Sequence, residues 1–327
     1  SEIAVVQEIH AGHPLLGKLP RIQVTYSDDQ KFTDMELPHR FADGHIRAGT
    51  IDGEPATANE AYRAVRNATP ADMSAILKTA PAAAVFGGWD ATRKKNQVRL
   101  RSALVGEIIG VLADQDRDGQ DQQSRRGGAR VDAVAMSVQL DPKDMEKLIE
   151  AQEAELSDKL LDKLRGEIKK AKKDKRLSAS RLGLGGIPPQ LDDLGGVACS
   201  RIIRSWVLSF AALRQLRFGG SEEANVAGRA LLAAFGLVAI SRAERELYLR
   251  ANCDLVEAGA PVVTLDERYG NKRTLDPITV ELADQLLQQA IDHARSTGVA
   301  DWNGQILHVD GNPLILEGAS DESESED

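Results

Sequence analysis

The sequence is poor in cysteine and in aromatic side chains. Cys199 and Cys253 are the two cysteines among 327 residues. They cannot build a disulfide framework and neither belongs to a CxxC pair, so the composition fits a reducing compartment. Aromatics make up 4% of the chain, which makes each tryptophan a marked position. Long apolar runs are lacking too. The longest, LLAAFGLVAI at 231–240, is shorter than a bilayer span and runs straight into SRAERE. The opening SEIAVVQEIH has no basic start and only a short apolar stretch. A cytoplasmic location with no membrane contact is therefore expected.

Catalytic and metal signatures are missing as well. The histidines are His10, His13, His39, His45, His293 and His308. His39 and His45 in HRFADGH are spaced for neither an HExxH helix nor a zinc knuckle. There is no GxSxG, and neither cysteine sits in a nucleophile signature. Asp114, Asp116, Asp118 and Gly119 resemble half of a calcium loop, but the position that needs a glutamate is Arg125. No enzyme, cofactor or metal is expected.

What is present is an ordinary globular balance, 42% apolar and 28% charged, enough for one large domain or two of common size. The net charge is −9, but EGASDESESED at 317–327 holds six of the acidic residues, so the rest of the chain carries −9 + 6 = −3. This stretch is too polar to pack and is expected to be disordered. The basic residues are clumped, and a polyanion responds to the patch more than to the total.

Periodicity gives a first map. Residues 1–10 read as a strand and 11–58 as a loop-rich extension. Residues 59–79 read as two helical pieces broken before Pro70. Residues 81–87 read as a buried strand, and 98–112 as an amphipathic helix from Leu100, Leu104, Val105, Ile108, Ile109 and Leu112. Residues 131–140 alternate as a strand does. Asp141 and Pro142 open a long helix or helical pair over 142–176, capped by the aspartate with proline in its first turn. Its second half is basic: from Lys163 to Arg181 there are nine Lys or Arg against Glu167 and Asp174. A Gly/Pro loop covers 181–196. A helix is expected from Ser200, with Ile203, Trp206, Val207, Phe210 and Leu213 on one core face, then helices over 224–246 and 277–297. Residues 247–259 read as a strand into a turn, and a hairpin is expected at Asp310-Gly311.

Two stretches carry candidate chemistry. AAVFGGWDATRKKNQVRLRSALVGEIIG at 83–110 joins Gly88, Trp89 and Asp90 to the cations Arg93, Lys94, Lys95, Arg99 and Arg101. Glycine admits close backbone approach, the cations can neutralise phosphates, and an aromatic can stack on a base. The bland alternative is a turn, a buried Trp89 and a solvated basic loop. The second stretch, RLGLGGIPPQLDDLGG, has neither the Lys-Ser/Thr of a Walker loop nor dinucleotide spacing. It brings Arg181, Gly183, Gly185 and Gly186 ahead of Arg201 and Arg204, one turn apart at the expected helix start, where a phosphate would be favoured. Arg125 and Arg126 add to the cationic set.

Taken together, AVFGGWDATRKK with RSALVGEIIG, then GLGGIPPQLDDLGGVACSRIIRSWVLSFAALRQLRF, then LLAAFGLVAISRAERELYLRANCDL resemble the backbone subunit of the type I-G (formerly I-U) CRISPR effector, the Cascade-type complex. This is a Cas-seven family within the RAMP superfamily, and the resemblance spans roughly 81–258. It implies an α+β fold: an RRM-like (ferredoxin-like) antiparallel palm, here 81–316, with helices and finger or thumb insertions including about 141–181. Residues 1–80 would be an N-terminal extension, and 317–327 a disordered acidic tail. The implied function is non-catalytic binding of guide RNA (crRNA) through its backbone, in a filament that presents the guide to target DNA. The implied partners are further copies of the chain, a fused guide-processing and cap subunit, a large subunit and a recruited helicase-nuclease. Since some RAMP relatives cut RNA, a ribonuclease is the alternative, with Asp90 or His39 as its candidate groups.

Overall fold

In the computed structural model the described residues are 2–90, 92–93, 99–112, 138–171, 175–185, 199–245 and 255–320. The first stretch contains α1 (Glu2–His10), β1 (Arg21–Ser27), β2 (Gln30–Thr33), α2 (Gly44–Arg47), β3 (Thr50–Ile51), β4 (Glu54–Pro55), α3 (Glu60–Asn67), α4 (Ser74–Thr79), α5 (Ala82–Phe86) and β5 (Gly88–Trp89). There follow β6 (Arg99–Leu100), β7 (Leu104–Leu112), β8 (Gln139–Leu140), α6 (Pro142–Glu150), α7 (Asp158–Lys170), β9 (Leu177–Ser178) and β10 (Cys199–Leu208). The remainder is α8 (Phe210–Leu213), α9 (Glu222–Ala243), β11 (Val263–Asp266), β12 (Lys272–Leu275), α10 (Val280–Ser296), β13 (Ile306–Asp310) and α11 (Pro313–Ser320).

The class is α+β, as expected. The main sheet has the order β2-β1-β13-β3-β4. It is mixed, which corrects the expected antiparallel palm: β1 and β13 run parallel, with Arg21 opposite Ile306 and Thr25 opposite Asp310. A parallel pair needs a crossover, and α10 precedes β13 to supply it. Ile22 and Val24 on β1 are fully buried, so residues 11–58 furnish a central strand where a loop-rich extension was expected. Where a strand was expected over 1–10, residues 2–10 are a helix, with Val5, Val6 and Ile9 on the buried face.

The largest core cluster forms around α9, whose length and apolar composition would suit a membrane span but whose apolar window is 67% buried inside the fold. Phe235 on α9 meets the rings of Phe86 and Trp302 edge-on, at 5.6 and 6.1 Å. The Trp302 indole donates to the Leu77 carbonyl at 2.8 Å. Arg242 on α9 binds Glu8 of α1 and both carboxylate oxygens of Asp284 on α10. Residues from 1–80 and from 81–316 thus share one cluster. A second cluster, with Leu140, Met145, Leu148, Ile149, Leu156, Leu164, Leu182 and Ile315, packs the helical insertion. Asp141 caps α6 by accepting from the Lys143 and Asp144 amides, with Pro142 in the first turn, and α6 and α7 are the expected helical pair.

Four further expectations are corrected. Residues 82–86 are helical: Ala-Ala-Ala favours helix, and Gly87 ends it with φ of +86°. Where a helix was expected over 98–112, residues 99–100 and 104–112 are strands. Their apolar positions fit helical spacing, but Val105, Ile108, Ile109 and Val111 are β-branched and exposed. Residues 199–208 are a strand paired with β7, so Ser200 caps no helix; Val207 and Phe210 are exposed, and of the expected core face only Leu213 is fully buried. Finally, β13 leads into α11 rather than turning back at Asp310-Gly311. Asn312 accepts from the Leu314 amide at the start of that helix. The expected acidic tail therefore begins inside a helix, and residues 321–327 lie outside the described residues.

Candidate nucleic-acid interface

Gly88 and Trp89 pair with Leu100 and Arg99 across β5 and β6. This register places Trp89 beside Arg99, whose guanidinium carbon is 4.5 Å from the Trp89 ring centroid. Trp89 is 50% exposed, so it is a surface residue and the core alternative falls away. Arg99 and Arg101 are exposed as well. A shallow concavity of about 360 Å³ opens here, lined by His39, Arg40, Phe86, Gly87, Trp89, Arg99 and Ser102 among others.

The floor of this corner is held by buried charge. Arg66 of α3 donates to the Asp90 carboxylate from Nε and Nη2, at 2.9 and 2.8 Å. Its Nη1 lies 3.4 Å from Glu155. Arg93, expected to meet phosphate, is turned inward: its guanidinium donates to Glu155, to the Arg66 carbonyl and to Asn67 at 3.1, 2.5 and 2.6 Å. Its backbone bridges to Leu156. The loop carrying Trp89 is thus clamped between α3 and the insertion. Asp90 is buried in this clamp and is not presented to solvent.

Arg40 closes the other side. Its backbone is left-handed, with φ of +49°. Its side chain binds both oxygens of Glu2 and donates to the Gly87 carbonyl at 3.0 Å. Burial raises the Glu2 carboxyl above its ordinary value despite the opposing Arg40 charge. Behind it, Asp34 is fully buried, accepts from the Ile22 amide at 3.0 Å and is pushed up to about 7, chiefly by burial.

The glycines of both stretches are closely packed within the fold. A Cβ on Gly88 would come within 2.9 Å of Phe41, one on Gly183 within 2.9 Å of Arg47, and one on Gly185 within 2.4 Å of Ser180. Gly183 also has φ of +80°. The space a Cβ would take at each of them is filled by the protein's own atoms. The same geometry brings the two glycine stretches together on one segment, 39–47: Gly88 against Phe41, and Gly183 against Arg47, with His39 near by. Arg47 is itself buried and donates to the carbonyls of Ala42 and Leu182 and to Gln152.

Arg181 is exposed and donates to Glu167 at 3.2 Å. Arg201 and Arg204 are on strand β10, so no helix N-terminus stands beside them. Arg201 is exposed opposite Val111. Arg204 is drawn to the Ala243 carbonyl and Glu244 and lies 4.9 Å from the Trp206 ring centroid. Lys94, Lys95, Arg125, Arg126 and Gly186 lie outside the described residues. Among the described residues no group of three or more His, Cys, Asp or Glu could hold a metal ion.

Sequence reasoning missed the β11–β12 hairpin. Its turn carries Tyr269, 96% exposed and left-handed with φ of +61°, flanked by exposed Arg268, Lys272 and Arg273. VVTLDERYGNKRTLD does contain the signal, two β-prone runs around a Gly-Asn turn. The hub residues Arg40, Phe41, Arg47 and Arg66 were also missed, because their partners are distant in sequence.

The chain therefore presents an α+β scaffold with aromatic and cationic groups at its surface. Residues 1–115 match a family model described as CRISPR-associated protein GSU0053. The match indicates a CRISPR-associated protein family; it contains the Trp89 corner, covers the residues 1–80 that the resemblance left out, and overlaps the resembling stretch over 81–115. No curated protein and no solved structure matches the chain.

Proposed function

We propose that the chain acts in CRISPR defence as a guide-RNA-binding backbone subunit of a type I (I-G) effector complex, without catalysis. The observation that carries this reading is the exposed Trp89–Arg99 pair, inside the stretch that matches a CRISPR-associated family. An aromatic platform beside a cation suits single-stranded RNA of any sequence: the ring stacks on a base and the cation meets a phosphate. Arg101 and the Tyr269 hairpin extend the same chemistry. Sequence would then be read by guide pairing with target DNA and not by the protein.

A backbone subunit must also pack against its neighbours. The β7–β10 ribbon exposes Val105, Ile109, Val111, Ile203 and Val207. Val105 pairs with Val207 and Ile109 with Ile203, so these side chains share one face of the ribbon. An exposed face of β-branched residues supports contact with further protein, and we assign it to other copies of the chain along the guide. The fused guide-processing and cap subunit, the large subunit and the recruited helicase-nuclease complete the proposed assembly.

One observation favours a second reading, a metal-independent ribonuclease: His39 is exposed and lines the concavity beside Trp89 and Arg99. A single experiment separates the two. Single-stranded RNAs of unrelated sequence are titrated at several salt concentrations and then recovered. The backbone reading expects similar affinities, a log–log salt slope of about −0.7 per phosphate contact, and intact RNA. Cleavage that His39→Ala abolishes would establish the ribonuclease instead.

A further inference from the structure

Helix α7 sorts its charges onto two flanks. Its inner face is the buried Leu164 with the half-buried Leu160, Leu161 and Ile168, packed in the second cluster. Lys159, Lys163, Gly166 and Lys170 recur at helical spacing along one outer flank, with Asp158, Asp162 and Lys169 on the other. The three lysines of the first flank are exposed. Glu167 stands one turn from both Lys163 and Lys170, but Arg181 donates to it at 3.2 Å. Arg165 is likewise engaged, by Glu146 and Glu153. Among the described residues, Lys159, Lys163 and Lys170 have no ion pair.

Gly166 lies in the interior of this helix, where glycine is less stable than alanine. Packing does not call for it, since a Cβ there would meet open space. The helix backbone is therefore bare between Lys163 and Lys170, which are about 10 Å apart along the axis, and Lys159 extends the flank to about 16 Å. The start of the helix is tied to the Trp89 loop. Arg93 of that loop forms a backbone bridge with Leu156 and donates to Glu155. Ser157 follows directly and caps α7 by accepting from the Leu160 amide. The lysine flank thus begins at the clamp that holds Trp89 in place.

We propose that this flank of α7 is a second phosphate-binding surface, on which a single RNA strand held at Trp89 and Arg99 continues along the helix. The inference rests on the nucleic-acid reading above. Lysines act on phosphates as point charges and read no base, and Gly166 lets a strand lie close against the helix between two of them. The Arg93–Glu155 pair and the Leu156 bridge join the two surfaces, so the strand passes from a stacking site to an electrostatic one. An acidic protein would also meet lysines, but the bare helix backbone and the link to an aromatic platform favour nucleic acid.

The test titrates the full chain with oligouridylate of about sixteen nucleotides, the long end of single-strand site sizes, at several salt concentrations. Lys159→Ala, Lys163→Ala and Lys170→Ala together should weaken binding at least about ten-fold at low salt and lower the log–log slope by up to about 0.7 for each lost contact. The same change at exposed Lys31, Lys78 and Lys143 should leave the slope as it was. Gly166→Gln should raise the melting temperature, because it removes a helix-interior glycine, and still weaken RNA binding; a purely structural role would not separate the two. An unchanged slope in the triple variant, or Gly166→Gln binding as tightly as the unaltered chain, would overturn the inference. RNA binding that needs Trp89 and Arg99 but not the lysines would overturn it alone and leave the nucleic-acid reading standing. No RNA binding by the unaltered chain would overturn both. Polyglutamate that binds the chain and is lost in the triple variant, with RNA affinity unaltered, would assign the flank to an acidic protein instead.

Discussion

Arg99 holds its guanidinium 4.5 Å from the centre of the Trp89 ring, its cross-strand neighbour on β5, and Trp89 keeps half its surface in solvent. The pairing presets the indole orientation without burying it. Trp89→Ala should weaken single-stranded RNA binding by about 1–3 kcal/mol, the range for one stacked base, and Trp89→Phe should restore part of it. Stability should change by no more than about 0.5 kcal/mol, as for other exposed positions. Fluorescence anisotropy and a thermal melt of the same samples check both halves.

The cations that follow Trp89 divide by role. Replacing Arg93 should damage folding, because its guanidinium is spent on Glu155, Asn67 and the Arg66 carbonyl. Lys94→Ala and Lys95→Ala, with Arg93 left in place, should lower the salt slope by up to about 0.7 per lost phosphate contact. An unchanged slope in binding isotherms would mean that neither lysine touches phosphate.

Asp90→Ala leaves Arg66 buried with one carboxylate fewer. Breaking a buried pair from one side costs about 3–5 kcal/mol, and urea denaturation should show a loss of that order. If Asp90 were instead a catalytic group of a ribonuclease, the variant would fold normally and lose cleavage.

Asp34 titrates near 7 in the fold against 3.8 ordinarily, because burial disfavours its charge and the Ile22 amide offsets this only in part. Between those values the folded chain binds a proton that the unfolded chain has released. The contribution is therefore complete below about pH 4 and is lost as pH rises toward 7, a change on the order of a few kcal/mol. Asp34→Asn should flatten that part of the stability–pH curve, whatever it does to absolute stability. Denaturant midpoints across pH 4–8 give the answer.

Much of the helical framework was legible in the sequence, because caps and breakers act locally. Asp141-Pro142 marked the start of α6, Pro70 separated α3 from α4, and the periodic runs at α9 and α10 gave long helices. The strands β7 and β10 were misread because their apolar residues also fit helical spacing, and only β-branching pointed the other way. The site was legible in composition but not in role. Arg99 and Arg101 are at the surface as the cationic run implied, and Trp89, which the sequence left open between surface and core, is exposed, whereas Arg93 and Asp90 belong to a clamp whose partners, Arg66 and Glu155, lie 24 or more residues away. Glycines that seemed to invite a ligand prove to accommodate Phe41, Arg47 and Ser180, contacts that no local pattern encodes.

The central claim is that this chain holds guide RNA along its backbone. It is tested most directly by expressing the full chain with a CRISPR array and its companion subunits, purifying the complex in stringent salt, and sequencing the nucleic acid that remains. The account predicts intact guide RNA of uniform length that is lost when Trp89, Arg99 and Arg101 are replaced together in a chain that still folds. Complexes that assemble without RNA, or whose RNA content is unaffected by that replacement, would contradict it.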